Sequence, residues 1–181
     1  MNRGSYFFLL NARLLIDNCN FTLTPTVSAI YSEGSIIEVI GCSFITDNTI
    51  EQKQFIGAPN IQGGVIYAIN IQAFIIIDSH FEGMNIAIEG GVIYLARLSS
   101  SLEFTGGIFM EITVRNSTFL SNSARFGGAI YLNNELYFDI ESCVFDSNSA
   151  KQINGTGGDG GAIYYYSTSG KLSFLSFYPY I

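Results

Sequence analysis

Gly127-Gly128-Ala129-Ile130-Tyr131, with Cys143-Val144-Phe145 following it, is the stretch that decides the fold. Its first phrase recurs as Ser28-Ala29-Ile30-Tyr31, Gly64-Val65-Ile66-Tyr67, Gly91-Val92-Ile93-Tyr94 and Gly161-Ala162-Ile163-Tyr164. Its second recurs as Cys19-Asn20-Phe21, Cys42-Ser43-Phe44, Ser79-His80-Phe81 and Ser117-Thr118-Phe119. The two phrases alternate along the chain, and self-similarity at a fixed period marks a repeat architecture. Where nothing is inserted, the step is 13 residues from Tyr31 to Phe44 and 13 from Phe81 to Tyr94, a unit of about 26. Longer steps contain polar or Gly-rich additions near 51–62, 96–107 and 151–159, as expected of loops leaving a repeat.

The places ahead of each Phe set the strand pattern. Seven before lie Leu14, Ile37, Phe74, Ile112 and Phe138; five before lie Ile16, Val39, Ile76, Val114 and Ile140. Both columns are apolar throughout, while Leu15, Glu38, Ile75, Thr113 and Asp139 between them are mixed. That alternation is a strand with one buried face. After a two-residue corner, the Cys/Ser and Phe columns share the inner face of a second strand. The Gly-led phrase makes a third, entered through a Gly corner. The reading is an all-β fold: a right-handed parallel β-helix of about five to six turns with three short strands per turn and looped-out insertions. It takes residues 1–181 as one domain, a fragment of a longer solenoid. Each column then becomes a ladder of like side chains about 4.8 Å apart. Ile is the purely apolar choice for a dry interior, so the Ile column faces in, and Ala/Val and Tyr face out.

Bulk chemistry narrows the function. Of 181 residues, 48% are hydrophobic and 13% charged, with a mean hydropathy of +0.31, too apolar for a disordered chain. The net charge of −7 argues against nucleic acid as a partner. No run reaches the roughly 18 apolar residues of a membrane span. A single histidine, His80, excludes a multi-His metal site, and its column-mates Asn20, Ser43, Thr118 and Val144 place it on the surface. Cys19, Cys42 and Cys143 lack metal-ligand spacing and read as small inward residues interchangeable with Ser79 and Ser117; their redox state is open. Asn122 and Asn148 recur three places after Phe119 and Phe145, where Asn side chains bond to turn backbone.

No catalytic, cofactor-binding or metal-ligating residues emerge. Asp139 and Glu141 flank the inward Ile140 and point outward as a solvated pair, with Arg115 on a neighbouring turn. The outward Tyr31, Tyr67, Tyr94, Tyr131 and Tyr164 form a candidate ligand or partner stripe. Sequons at Asn20, Asn116 and Asn154 are candidate glycosylation sites.

The pairing of Gly127-Gly128-Ala129-Ile130 with Phe145-Asp146-Ser147-Asn148 resembles the repeats of polymorphic outer-membrane proteins, and more broadly the pectin-lyase-like right-handed β-helix proteins. Gly160-Gly161-Ala162-Ile163 and Phe119-Leu120-Ser121-Asn122 extend the resemblance, which covers roughly 14–166. Departures occur at Gly64 and Gly91, which lead into Val, and at Phe81-Glu82-Gly83-Met84, which lacks Asn. The resemblance implies a scaffold. Pectinase-like members carry Asp-Asp, Gly-His-Gly and Arg-x-Lys motifs that this chain lacks. The expectation is a non-catalytic structural or adhesive module, extracellular or on the cell surface, with no cofactor. It would meet a protein or glycan partner at a surface ladder or at an open solenoid end. The alternative is a carbohydrate-active or carbohydrate-binding β-helix, which would need a groove containing Asp139, Glu141 and Arg115.

Overall fold

A computed structural model describes residues 6–23, 28–46, 62–85, 87–97, 111–134, 138–153 and 155–167. The chain coils through parallel sheets. The first sheet stacks β1 (Phe7–Leu10), β4 (Ile30–Glu33), β7 (Ile66–Ile69), β11 (Ile93–Ala96), β15 (Ile130–Asn133) and β21 (Ile163–Tyr166) in that order. The second stacks β2 (Arg13–Asp17), β5 (Ile36–Ile40), β8 (Ala73–Ile77), β12 (Glu111–Arg115) and β16 (Asp139–Glu141). The third stacks β3 (Asn20–Leu23), β6 (Ser43–Thr46), β9 (His80–Glu82), β13 (Thr118–Leu120) and β17 (Val144–Asp146). In these three sheets each strand pairs in parallel with its equivalent one turn later, so among the described residues this is a parallel β-helix with five turns through the second and third sheets and a sixth strand in the first.

The register matches the columns read from the sequence. Phe21 pairs with Phe44, Phe44 with Phe81, Phe81 with Phe119 and Phe119 with Phe145. Their rings stack at 4.7, 5.2, 5.1 and 4.8 Å, within 12° of parallel. Phe44, Phe81 and Phe119 are wholly excluded from solvent. Each such side chain contributes about 2–3 kcal/mol of transfer free energy. Ile37–Phe74–Ile112 and Val39–Ile76–Val114–Ile140 fill the interior beside them.

Two features differ from the sequence reading. A fourth, short sheet joins β10 (Ala87–Glu89), β14 (Ser123–Phe126) and β18 (Ser149–Ala150), so some turns have a strand beyond the expected three. The Ala/Val column, expected to face out, is buried in the same core as the Ile column: Ala29, Val65, Val92 and Ala129 are at most 3% exposed. The reason is local. These residues lie in the corner before each strand begins, so strict alternation does not reach them. There the Val92 carbonyl accepts from the N–H groups of both Val65 and Ile66, and the Ala129 carbonyl from those of Val92 and Ile93.

The corners explain the polar columns. The residue three before each Phe is Asn18, Gly41, Asp78, Asn116 or Ser142, all with φ between 49° and 59°, the left-handed region that Gly, Asn and Asp tolerate best. The Gly-Gly pair does two jobs. A Cβ on Gly127, with φ 60°, would lie 2.1 Å from the Ile130 carbonyl oxygen of its own turn. One on Gly128 would lie 2.2 Å from the Gly161 carbonyl oxygen of the next turn. The first glycine turns the chain; the second lets one turn settle on another.

Side chains bond the turns together at two further columns. The Cys19 N–H donates to Cys42 Sγ at 3.4 Å, Cys42 N–H to Ser79 Oγ at 3.2 Å, and Ser79 N–H to Ser117 Oγ at 3.1 Å. Cys42, Ser79 and Ser117 donate in turn to the carbonyls of Ile40, Ile77 and Arg115. Cys and Ser therefore interchange because each is small and both accepts and donates. At the Asn column, Asn122 Oδ1 accepts from Met84 N–H at 3.0 Å, and Asn148 Oδ1 from Asn122 N–H at 3.1 Å. Their amides donate back to the Phe81 and Phe119 carbonyls. Between β18 and β21 the chain makes an antiparallel hairpin, β19 (Gln152–Ile153) with β20 (Thr156–Gly157).

Candidate functional site

The outer face of the first sheet carries the Tyr column. Alternation along β4, β7, β11 and β15 puts Ile30, Ile66, Ile93 and Ile130 in the main core and the adjacent tyrosines on the opposite side of the wall. Tyr67, Tyr94, Tyr131 and Tyr164 belong to a separate apolar cluster with Ile69, Ala96 and Phe126. Starting from Phe8, six rings stack through Tyr31, Tyr67, Tyr94, Tyr131 and Tyr164 at 5.0 to 5.3 Å, within 20° of parallel.

This stacking decides what the stripe can offer. Each internal ring has both faces covered by its neighbours, so the ladder presents ring edges and hydroxyls. Tyr94 and Tyr131 are only 6% and 7% exposed, whereas Tyr31, Tyr67 and Tyr164 are half-buried. Burial pushes the Tyr67 hydroxyl up to about 12, with further contributions from Tyr94, Tyr31, Glu33 and Glu89. Tyr131 is raised by burial foremost and by Glu89 next. Tyr94 is raised by burial and Glu89, opposed by a hydrogen bond with Asn133. The inner members Tyr67, Tyr94 and Tyr131 are therefore neutral phenols, with Glu33 and Glu89 nearby. Glu89, Asn133 and Phe126 were not picked out from the sequence. Phe126 stands directly before Gly127, and the guanidinium of Arg125 lies 5.1 Å from its ring centre.

Several residues that could serve acid–base chemistry are ion-paired. Arg115 bridges the outward carboxylates, at 2.6 Å to Asp139 and 3.2 Å to Glu141. Both outward carboxylates therefore share one guanidinium as their partner. Arg13 pairs with Glu38 at 2.8 Å, and His80 Nε2 lies 3.1 Å from Glu82 of the same strand. Among the described residues no three His, Cys, Asp or Glu side chains gather as metal ligands. No helix among them is long and apolar enough to cross a membrane. Cys19, Cys42 and Cys143 are free thiols, and burial raises the pKa of Cys42 and Cys143. Of the sequon asparagines, Asn20 and Asn116 are exposed; Asn154 lies outside the described residues.

No curated protein and no solved structure matches the chain. The family model of the Chlamydia polymorphic membrane protein repeat matches residues 116–133 and 142–166. These stretches span the third and first sheets of the last turns, where the Phe, Asn and Gly-Gly columns are all filled. By its stacked parallel sheets and its repeats, this chain is a parallel β-helix repeat protein resembling the polymorphic membrane protein repeats.

Proposed function

We propose that this chain is a non-catalytic structural and adhesive module of a secreted or cell-surface protein, meeting a protein or glycan partner along the Tyr ladder of its first sheet. The observation that carries this reading is the continuous outward file from Phe8 to Tyr164, which crosses every strand of that sheet. A file of ring edges with hydroxyls and flanking carboxylates suits an extended partner that hydrogen-bonds along the solenoid axis, not a single sugar ring clamped on an aromatic face. The match to a membrane-protein repeat supports a surface location. The charge of −7 and the Arg-bridged Asp139–Glu141 pair agree with an inert scaffold. In a secretory host the exposed Asn20 and Asn116 are the acceptors for N-glycans.

The test removes only the hydroxyls. The triple variant Tyr31→Phe, Tyr67→Phe and Tyr164→Phe keeps the stack and should fold with an unchanged circular dichroism spectrum. On glycan arrays and intact cell surfaces, the parent chain should bind and the variant should lose at least tenfold in apparent affinity. Equal binding by both, or none by the parent, contradicts the ladder as a partner surface.

A further inference from the structure

We propose that Cys19 and Cys42 form a reversible disulfide staple that fastens the first turn of the solenoid to the second. The register puts them together: Asp17 pairs with Ile40 and Asn20 with Ser43, so Cys19 lies directly over Cys42. They already touch, because the Cys19 N–H donates to Cys42 Sγ. Equivalent positions of adjacent parallel strands are about 4.8 Å apart, within the Cα separation a disulfide spans. Side chains at paired positions of parallel strands leave the sheet side by side, so a Cβ separation of about 4.8 Å is expected, wider than the roughly 3.5–4.5 Å of a relaxed disulfide, and the bond is a labile one, easily reduced. Nowhere else in this column do two cysteines adjoin: Ser79 and Ser117 fill the middle turns, and Cys143 lies against Ser117.

The turn that carries Cys19 exposes much of its apolar surface: Tyr6, Phe8, Leu10 and Leu15 are four of the seven exposed large apolar side chains among the described residues. Cys19 is half-exposed and Cys42 buried. Oxidation therefore begins at Cys19. Its thiolate attacks a low-molecular-weight disulfide such as oxidised glutathione and releases one thiolate. Cys42 then gives up its proton to solvent and attacks the mixed disulfide at Cys19, releasing the second. Two protein thiols are oxidised and one glutathione disulfide is reduced to two glutathiones. A secreted or surface protein meets conditions in which such a bond persists.

The test treats the folded full chain with oxidised glutathione, counts thiols and maps peptides by mass spectrometry. The expected result is a fall from three thiols to one, a Cys19–Cys42 peptide, and Cys143 still free. Amide exchange across 13–23 should slow at least tenfold, and mild dithiothreitol should restore it. Cys42→Ser supplies the side chain found at Ser79 and Ser117, so it should fold normally and lose the oxidative slowing. Three thiols persisting under native conditions, a disulfide formed only after denaturation, or a bond to Cys143 would overturn the staple.

Discussion

Two aromatic files run the length of this molecule on opposite sides of its wall. The inner file, Phe21 to Phe145, and the outer one, Phe8 to Tyr164, have nearly the same ring spacing, 4.7–5.2 Å against 5.0–5.3 Å. The rise of the coil sets that spacing on both sides. What differs is the hydroxyl. The inner rings belong to the main apolar core, and a phenol there would lose its water without a partner. The outer rings carry hydroxyls at the edge of the stack, where Asn133 and solvent can reach them. The inner file holds the fold together, and the outer file is free to acquire a use.

The largest contrast is expected from truncation. Phe81→Ala, in the middle of the inner file, should cost about 3–5 kcal/mol in denaturant unfolding, because packed turns above and below prevent collapse of the cavity. Tyr67→Phe, in the outer file, should cost less than about 1 kcal/mol, since the ring remains and the hydroxyl is at the edge. Equal costs would erase the distinction between the files. Next comes the polar ladder beside the inner file. Asn122→Ala strands the buried Met84 N–H and Phe81 carbonyl and should cost about 2 kcal/mol. Asn148→Ala, in the less buried last turn, should cost less.

Alkaline pH sharpens the contrast from the outer side. The folded Tyr67 titrates near 12, above its unfolded value near 10, and Tyr131 is raised as well. A raised pKa means the fold prefers the neutral phenol. That stability is fully present below about pH 10 and is lost as pH rises from there through 12. Absorbance at 295 nm should show a late tyrosinate fraction that ionises together with unfolding; full ionisation near pH 10 with the fold intact would contradict it. The smallest effect belongs to the exposed charges. Arg115→Ala breaks both ion pairs yet should change stability by less than about 1 kcal/mol, as read by the shift in melting temperature.

How much of this was legible in the sequence follows from the same geometry. A side chain that packs on its own counterpart in every turn must recur, so the Phe, Ile, Tyr and Cys/Ser columns could be read directly. The purely apolar character of Ile, not recurrence, set the Ile column inward and the Tyr column outward. Recurrence did not give the inward Ala/Val column, because alternation holds within strands and fails in a corner. The fourth sheet stayed hidden because Ser149–Ala150 has two residues and Ser123–Phe126 four, too short for alternation to stand out. The covered faces of the Tyr rings were not legible either: recurrence says that rings are adjacent, and only coordinates show them parallel. The hydrogen-bond logic that makes Cys and Ser equivalent lies in backbone directions that composition does not record.

The central claim is that residues far apart in sequence stand one coil step apart in space. It is tested most directly by distance measurement on paired spin labels along the outward column Asn20, Ser43, His80, Thr118 and Val144. Labels at Asn20 and Thr118 are three steps apart, roughly 14 Å between backbones, and labels at Asn20 and Val144 four steps, roughly 19 Å. The account predicts narrow distributions whose centres differ by about one step of 4.8 Å. Broad distributions, or a separation for either pair beyond about 35 Å, would contradict a coil of stacked turns.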